Sequence, residues 1–270
     1  MKRPSRHRVP VRAQVRVIGV IARHAIRETL RGRLPVAWIG MLAVLAAAGF
    51  FLDALSLVEH ETVVLSVLAP LARLAAVLIT ATFVIAGVSR EFTDRNIDMM
   101  FAAPVPRHAW VLGRFAGYTL LAAGTALMAG LPLLLQSPVL ALLTWTLSLL
   151  AELVMVAGIA LLITISLVRV PIAMLAFGAL YGCARVIGVI QMLDRANVDE
   201  GQSPFSVGGM LIDGLAALLP RLDLLTRTDW LLDGFTGSIV SLLTPALGQS
   251  LLYSAIVLLA ATIDVGNRRA

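Results

Sequence analysis

Lysine is almost missing from this chain: of its 270 residues only Lys2, at the extreme amino end, is one. A phosphate-binding loop of the form Gly, four residues, Gly, Lys, Ser/Thr therefore cannot be built here, and any ATP hydrolysis must come from another chain. Cysteine is equally scarce. Cys183 stands alone inside an apolar run, which excludes an intramolecular disulfide and any multi-cysteine metal or iron–sulfur centre, and reads as inert packing. The four histidines, His7, His24, His60 and His108, are spread over both expected faces of a membrane and do not converge on one site. His60-Glu61 begins like a zinc-protease His-Glu-x-x-His, but Val64 occupies the place of the second histidine. No Gly-x-Ser-x-Gly nucleophile elbow occurs. No catalytic, cofactor-binding or metal-binding residue is assigned on these grounds, and the expectation is a chain that is not an enzyme.

Charge is the other scarcity. Charged residues make up 14% of the chain and hydrophobic ones 59%, more apolar surface than a soluble domain of this length can bury. The net charge of +6 does not point to nucleic acid, because the arginines crowd beside hydrophobic runs, as they do where membrane topology is encoded. The expected fold is an all-α membrane protein with six transmembrane helices.

Two regions divide the chain: a basic amino-terminal segment, 1–34, and a six-span domain, 35–270. The first holds ten basic residues, too many over too long a stretch for the start of a cleaved signal peptide. Within it Ile18, Ile21, Ala22, Ala25 and Leu30 recur at helical spacing while Arg16, Arg23, Arg27 and Glu28 point elsewhere, which predicts an amphipathic helix lying on the headgroups. Spans are expected over about 35–52, 62–88, 109–135, 139–167, 172–191 and 238–263, each near the ~20 apolar residues a helix needs to cross. With both termini inside, the inner segments carry 17 basic residues and the outer ones three, against ten acids outside, so the termini are expected to be cytoplasmic. The outer segment 193–237 begins as a solvated turn and continues as two apolar stretches too short to span, broken at Pro220. These predict short outer-face helices between the fifth and sixth spans.

Between the second and third spans lies SREFTDRNIDMMFAAPVPRHAWVLGR, Ser89 to Arg114, where charge and amphipathic order interrupt the apolar sequence. Ser89 is placed as a helix cap, Arg90 with Asp94 and Glu91 with Arg95 are spaced to pair on an exposed face, and Ile97, Met100 and Phe101 form an apolar stripe. Pro104 and Pro106 turn the chain back. This short cytoplasmic helix resembles the segment that follows the second span in ABC-2 type transporter permeases, with Ser89, Arg90, Glu91, Ile97, Asp98, Pro104, Arg107, Trp110 and Gly113 in register with that family's pattern. RETLRGRLP before the first span and LPRLDLLTRTDWLLDG before the last look like the same family's entry helix and outer re-entrant segment.

The resemblance implies the permease subunit of an ATP-driven exporter that dimerises with a second copy or a paralogue. Such a subunit binds cytoplasmic ABC ATPase subunits, which hold ATP and Mg. It also implies that the segment is a coupling helix, with Arg90, Glu91, Asp94, Arg95, Ile97, Asp98, Met100, Phe101 and Arg107 meeting the ATPase. The rival readings are an ATP-independent carrier or channel, a membrane-embedded enzyme and a noncatalytic membrane assembly subunit. Abundant Ala, Leu and Arg with almost no Lys suggest a GC-rich bacterial genome and an inner (cytoplasmic) membrane.

Three charges fall inside spans at similar depth: Arg73, Glu152 and Arg185. An isolated charge there costs several kcal/mol, so partners or water are expected. One Arg–Glu pair would lock helices together; alternatively, the surplus positive charge would line a polar route for an anionic or zwitterionic cargo. Gly113 with Gly117 and Gly178 with Gly182 repeat at four-residue spacing, a pattern that lets helices approach closely.

Overall fold

The computed structural model describes residues 11–55, 60–93, 107–135, 137–199 and 239–267, together with 214, 219, 220, 222 and 225. Seven long helices follow one another among them: α1 Val11–Arg31, α2 Leu34–Leu55, α3 His60–Thr93, α4 Arg107–Gly130, α5 Val139–Leu167, α6 Val170–Asp199 and α7 Ile239–Asn267. The described residues contain no strand. Helices α2 to α7 supply the six segments long and apolar enough to cross a bilayer. Large apolar side chains such as Phe50, Phe51 and Leu175 are exposed around the outside, which water would not tolerate but hydrocarbon does.

Burial ranks the helices. In α5, 78% of the apolar window is buried inside the chain, against 17% in α2, 22% in α6 and 28% in α7. The central helix is therefore α5, packed on α3, α4, α6 and α7, while α2 and α6 lie at the periphery. Gly32 ends α1 by donating its N–H to the carbonyls of Glu28 and Thr29, at 3.0 and 3.2 Å, and Pro35 enters α2 in its first turn, where a missing N–H costs nothing. A two-residue link, Val168 and Arg169, joins α5 to α6. Val168 adopts φ 60, a conformation rare for a β-branched residue, and its carbonyl accepts the Ser89 hydroxyl of α3.

Several expected boundaries move. Ser89 is not a cap: α3 continues through it to Thr93, because its hydroxyl is engaged by Val168 and the last turn packs Phe92 edge-on against Trp110 at 6.1 Å. Residues 194–199, expected as solvated turn, extend α6, for no Gly or Pro interrupts them before Gly201. Cys183 is exposed rather than packed. Of the expected outer-face helices, only isolated positions are described. Pro220, Leu222 and Leu225 are buried, so these positions of the stretch between α6 and α7 enter the bundle.

The apolar stripe of α1 is covered by protein and is not left facing lipid, as a helix lying on headgroups would require. Ile21, Ala22, Ala25 and Thr29 are buried, and Leu30, expected on this face, is exposed. The cause lies in α4. A side chain at Gly113 would come within 2.7 Å of the Ile21 Cβ, and one at Gly117 within 2.8 Å of the Ala25 Cβ. Glycine at both positions lets the two helices pack backbone to backbone. Farther along α4, Gly124 gives room to Trp38 of α2, whose Nε1 donates to the Thr125 hydroxyl at 3.1 Å.

Candidate functional site

The polar chemistry of the described bundle gathers in two clusters, both anchored on α3. Arg73 and Glu91 are 18 residues apart on that helix, about 27 Å by helical rise, close to the thickness of a bilayer's hydrocarbon core.

At Arg73 the guanidinium is 1% exposed and fully engaged on one side. Its Nη1 donates to Glu152 Oε2 of α5 at 2.8 Å and to the Leu225 carbonyl at 2.7 Å, and its Nη2 donates to the Ser148 hydroxyl at 2.9 Å. Trp145, one turn before Ser148, presents its ring 5.2 Å from the guanidinium carbon, a cation–π contact that needs no further donor. The second oxygen of Glu152 accepts the Tyr181 hydroxyl of α6 at 2.8 Å, and Tyr181 stacks on Phe177. One positive and one negative charge thus face each other, with both Glu152 oxygens and both Arg73 Nη atoms hydrogen-bonded and Arg73 Nε buried without a partner among the described residues; it is this bonding that makes a buried pair tolerable. The cluster ties α3, α5, α6 and Leu225 together at one level.

Arg185 does not join the pair. It sits one turn beyond Tyr181, and its Nη1 is buried without a hydrogen-bond partner among the described residues. The three intramembrane charges expected at one depth therefore separate into a closed pair and a single cation beside it.

The second cluster lies where α3 ends and α4 begins. Arg114 of α4, 1% exposed, donates Nε to Glu91 at 3.0 Å and Nη1 to Glu28 of α1 at 3.2 Å, with a further Nη2 contact to Glu91. One guanidinium thus holds two carboxylates from two helices. Glu91, expected on an exposed face as an ATPase contact, is buried behind Arg114, and Glu28, expected to point away from the packed face, is turned into the protein. A buried arginine two turns into α4 draws both acids inward, since leaving it unpaired would cost more than either surface pair could return. The ligand atoms of His24, Glu28 and Glu91 lie within 4.8 Å of one another, but Arg114 already occupies the carboxylates, so a metal ion would have to compete with a fixed cation. Nearby, the Tyr118 hydroxyl is buried beside Arg114 and against Gly87, where a Cβ would come within 2.6 Å of it.

Of the expected coupling residues, Asp94, Arg95, Ile97, Asp98, Met100 and Phe101 lie outside the described residues. Arg90 is exposed on the last turn of α3. Arg107 opens α4 and donates to the Val265 and Gly266 carbonyls at 3.1 and 3.0 Å, satisfying the carboxyl end of α7. Gly113 and Gly117 are filled by α1, whereas Gly178 and Gly182 have nothing within 4 Å.

Sequence reasoning does not mark Arg114, Ser148, Trp145, Tyr118 or Tyr181 as site residues, and it turns Glu28 away from the packed face. Two signals were present. Glu28 is the only acid before Asp53, alone among ten basic residues, and two of the three tyrosines stand four residues from a span arginine, Tyr118 after Arg114 and Tyr181 before Arg185. On a helix that spacing places ring and guanidinium on one face. Comparison with models of known protein families and with curated proteins finds no match.

Proposed function

We propose that this chain is the membrane subunit of an ATP-driven exporter of the ABC-2 type. In this reading it crosses a bacterial inner membrane six times with both termini cytoplasmic, pairs with a second permease and works with separate ATPase subunits that hold ATP and Mg. The observation that carries the proposal is the way the charged segment between α3 and α4 is mounted. Its two ends emerge from helices joined by Arg114 with Glu91 and by Phe92 on Trp110, and Glu28 couples both to α1. A push on residues 94–106 would be passed to three helices at once, because ionic and backbone-close contacts leave little slack between them. Rigid-body tilting of such a group is a recognised way to convert partner motion into a membrane rearrangement. The excess of basic residues flanking the same end supports a cytoplasmic position for it, where an ATPase could reach it. The open face of α6 around Gly178 and Gly182 leaves room for a second permease.

The test is co-purification with candidate ABC ATPase subunits, followed by ATPase measurements in liposomes. Reversing Arg95 and Asp98 together, Arg95→Glu with Asp98→Lys, is expected to abolish stimulation of the ATPase while leaving the amount of inserted protein unchanged. Full stimulation by the double variant would reject the coupling role. Glu91 is unsuited to this test, since replacing it would also leave Arg114 short of a partner.

A further inference from the structure

A crevice of about 600 Å³ opens between the α1–α2 turn and the last three turns of α3, and neither charged cluster fills it. Its walls place charges in alternation. Arg33 from the turn and Arg90 from α3 line it, both exposed and both without a side-chain partner among the described residues, and between them in sign stands Glu28. Glu28 shares its arginine with Glu91, so two carboxylates face one guanidinium and a negative surplus remains on the side that is still 32% exposed. The polarity also changes with depth. Arg90 lines the mouth, while Phe83 and Thr82 lie seven and eight residues back along α3, about 10 to 12 Å nearer the bundle centre by helical rise. Gly87 lines the wall between the two levels and, lacking a Cβ, lets the Tyr118 hydroxyl approach α3 behind it.

We propose that this crevice binds one phospholipid with a phosphoethanolamine headgroup. Arg33 and Arg90 take the phosphate, whose oxygens suit guanidinium donors. Glu28 takes the ammonium, and the glycerol and first methylenes enter along Phe83. A free phosphate ester shares the arginine chemistry but uses neither Glu28 nor the apolar inner wall, and this selects lipid over a soluble anion. The inference rests on residence in a bilayer and is independent of any coupling to an ATPase. A bound lipid there would fill the space beside the α1–α2 turn and set the angle at which α1 leaves the first span.

The experiment is native mass spectrometry of the delipidated full chain, titrated with phosphatidylethanolamine, phosphatidylglycerol or inorganic phosphate. One phosphatidylethanolamine is expected to bind wild-type protein more tightly than phosphatidylglycerol. Arg33→Gln with Arg90→Gln should weaken that binding about tenfold or more, as loss of charge-assisted bonds implies, with the thermal stability of the lipid-free protein unchanged. A control pair on the exposed face of α1, Arg16→Gln with Arg23→Gln, should leave it intact. Glu28→Gln should erase the preference for ethanolamine over glycerol. Equal binding by the Arg33/Arg90 variant, or an equal loss in the Arg16/Arg23 control, would overturn the site. Displacement of the lipid by millimolar inorganic phosphate would assign it to a soluble anion, and a wild-type preference for phosphatidylglycerol would overturn the ammonium contact.

Discussion

Arg73 and Arg114 are both buried arginines 1% exposed, yet they are compensated in opposite styles. Arg73 faces one carboxylate, itself fully buried, and adds a hydroxyl, a backbone carbonyl and an aromatic ring. Arg114 faces two carboxylates, one of which keeps a third of its surface open. The first arrangement balances one charge against one and is shut away from the surface. The second carries a surplus negative charge at the edge of a crevice and joins the helices that flank the segment between α3 and α4. The difference teaches where this bundle is fixed and where it can respond: a balanced pair locks, whereas an unbalanced triad can be shifted by another charge.

The largest effect should come from opening the balanced pair. Glu152→Gln leaves Arg73 buried without a counter-charge and is expected to cost about 3–5 kcal/mol, read as a lowered thermal midpoint and loss of monodisperse protein in detergent. Replacing both partners, Arg73→Met with Glu152→Gln, should recover most of that loss, because a buried pair exchanged for neutral groups is often close to neutral. If the double variant were as unstable as the single one, the pair would not be the lock described here.

A second contrast sets the two glycine pairs against each other. Gly117→Ala must push α1 away from α4, and overpacking of this kind costs about 1–3 kcal/mol. Gly178→Ala and Gly182→Ala meet open space within the chain and should be neutral or slightly stabilising, since alanine favours helix over glycine by about 1 kcal/mol. Thermal unfolding measures both, and equal losses at the two sites would contradict the packing of α1 on α4. Cross-linking of single-cysteine variants on α6 adds a separate readout: a loss of dimer in the alanine variants would place the second permease on this face.

The smallest effect belongs to the unbalanced triad. Glu28→Gln removes one of two carboxylates from Arg114 while Glu91 remains, and Glu28 is partly in solvent. The expected loss is about 0–1 kcal/mol, well below that of Glu152→Gln. A loss as large as at Glu152 would show that Glu28, not Glu91, carries the compensation of Arg114.

How far the sequence reached depended on the kind of order it encodes. The fourth span was placed at 139–167, and α5 occupies the same residues, because Pro138 and the Arg169–Pro171 break bound an uninterrupted apolar run. The approximate depth of Arg73 and Glu152 was legible for the same reason. Their partners were not. Ser148 and Tyr181 stand in helices apolar nearly all round, so no polar face announces which way each side chain turns. Glu28 and Glu91 were assigned to exposed faces from local spacing, and Arg114, remote from both in sequence, turned them inward.

The sequence by itself determined that this is a helical chain with six segments, among the described residues, long and apolar enough to cross a membrane, since apolar length is the one property a bilayer imposes on every span regardless of its neighbours. Tertiary structure alone decided which arginine meets which acid, which glycines are filled and where a crevice stays open. Those outcomes depend on the rotation of one helix against another. In a chain whose helices show little amphipathic bias, that rotation is settled only when the helices pack.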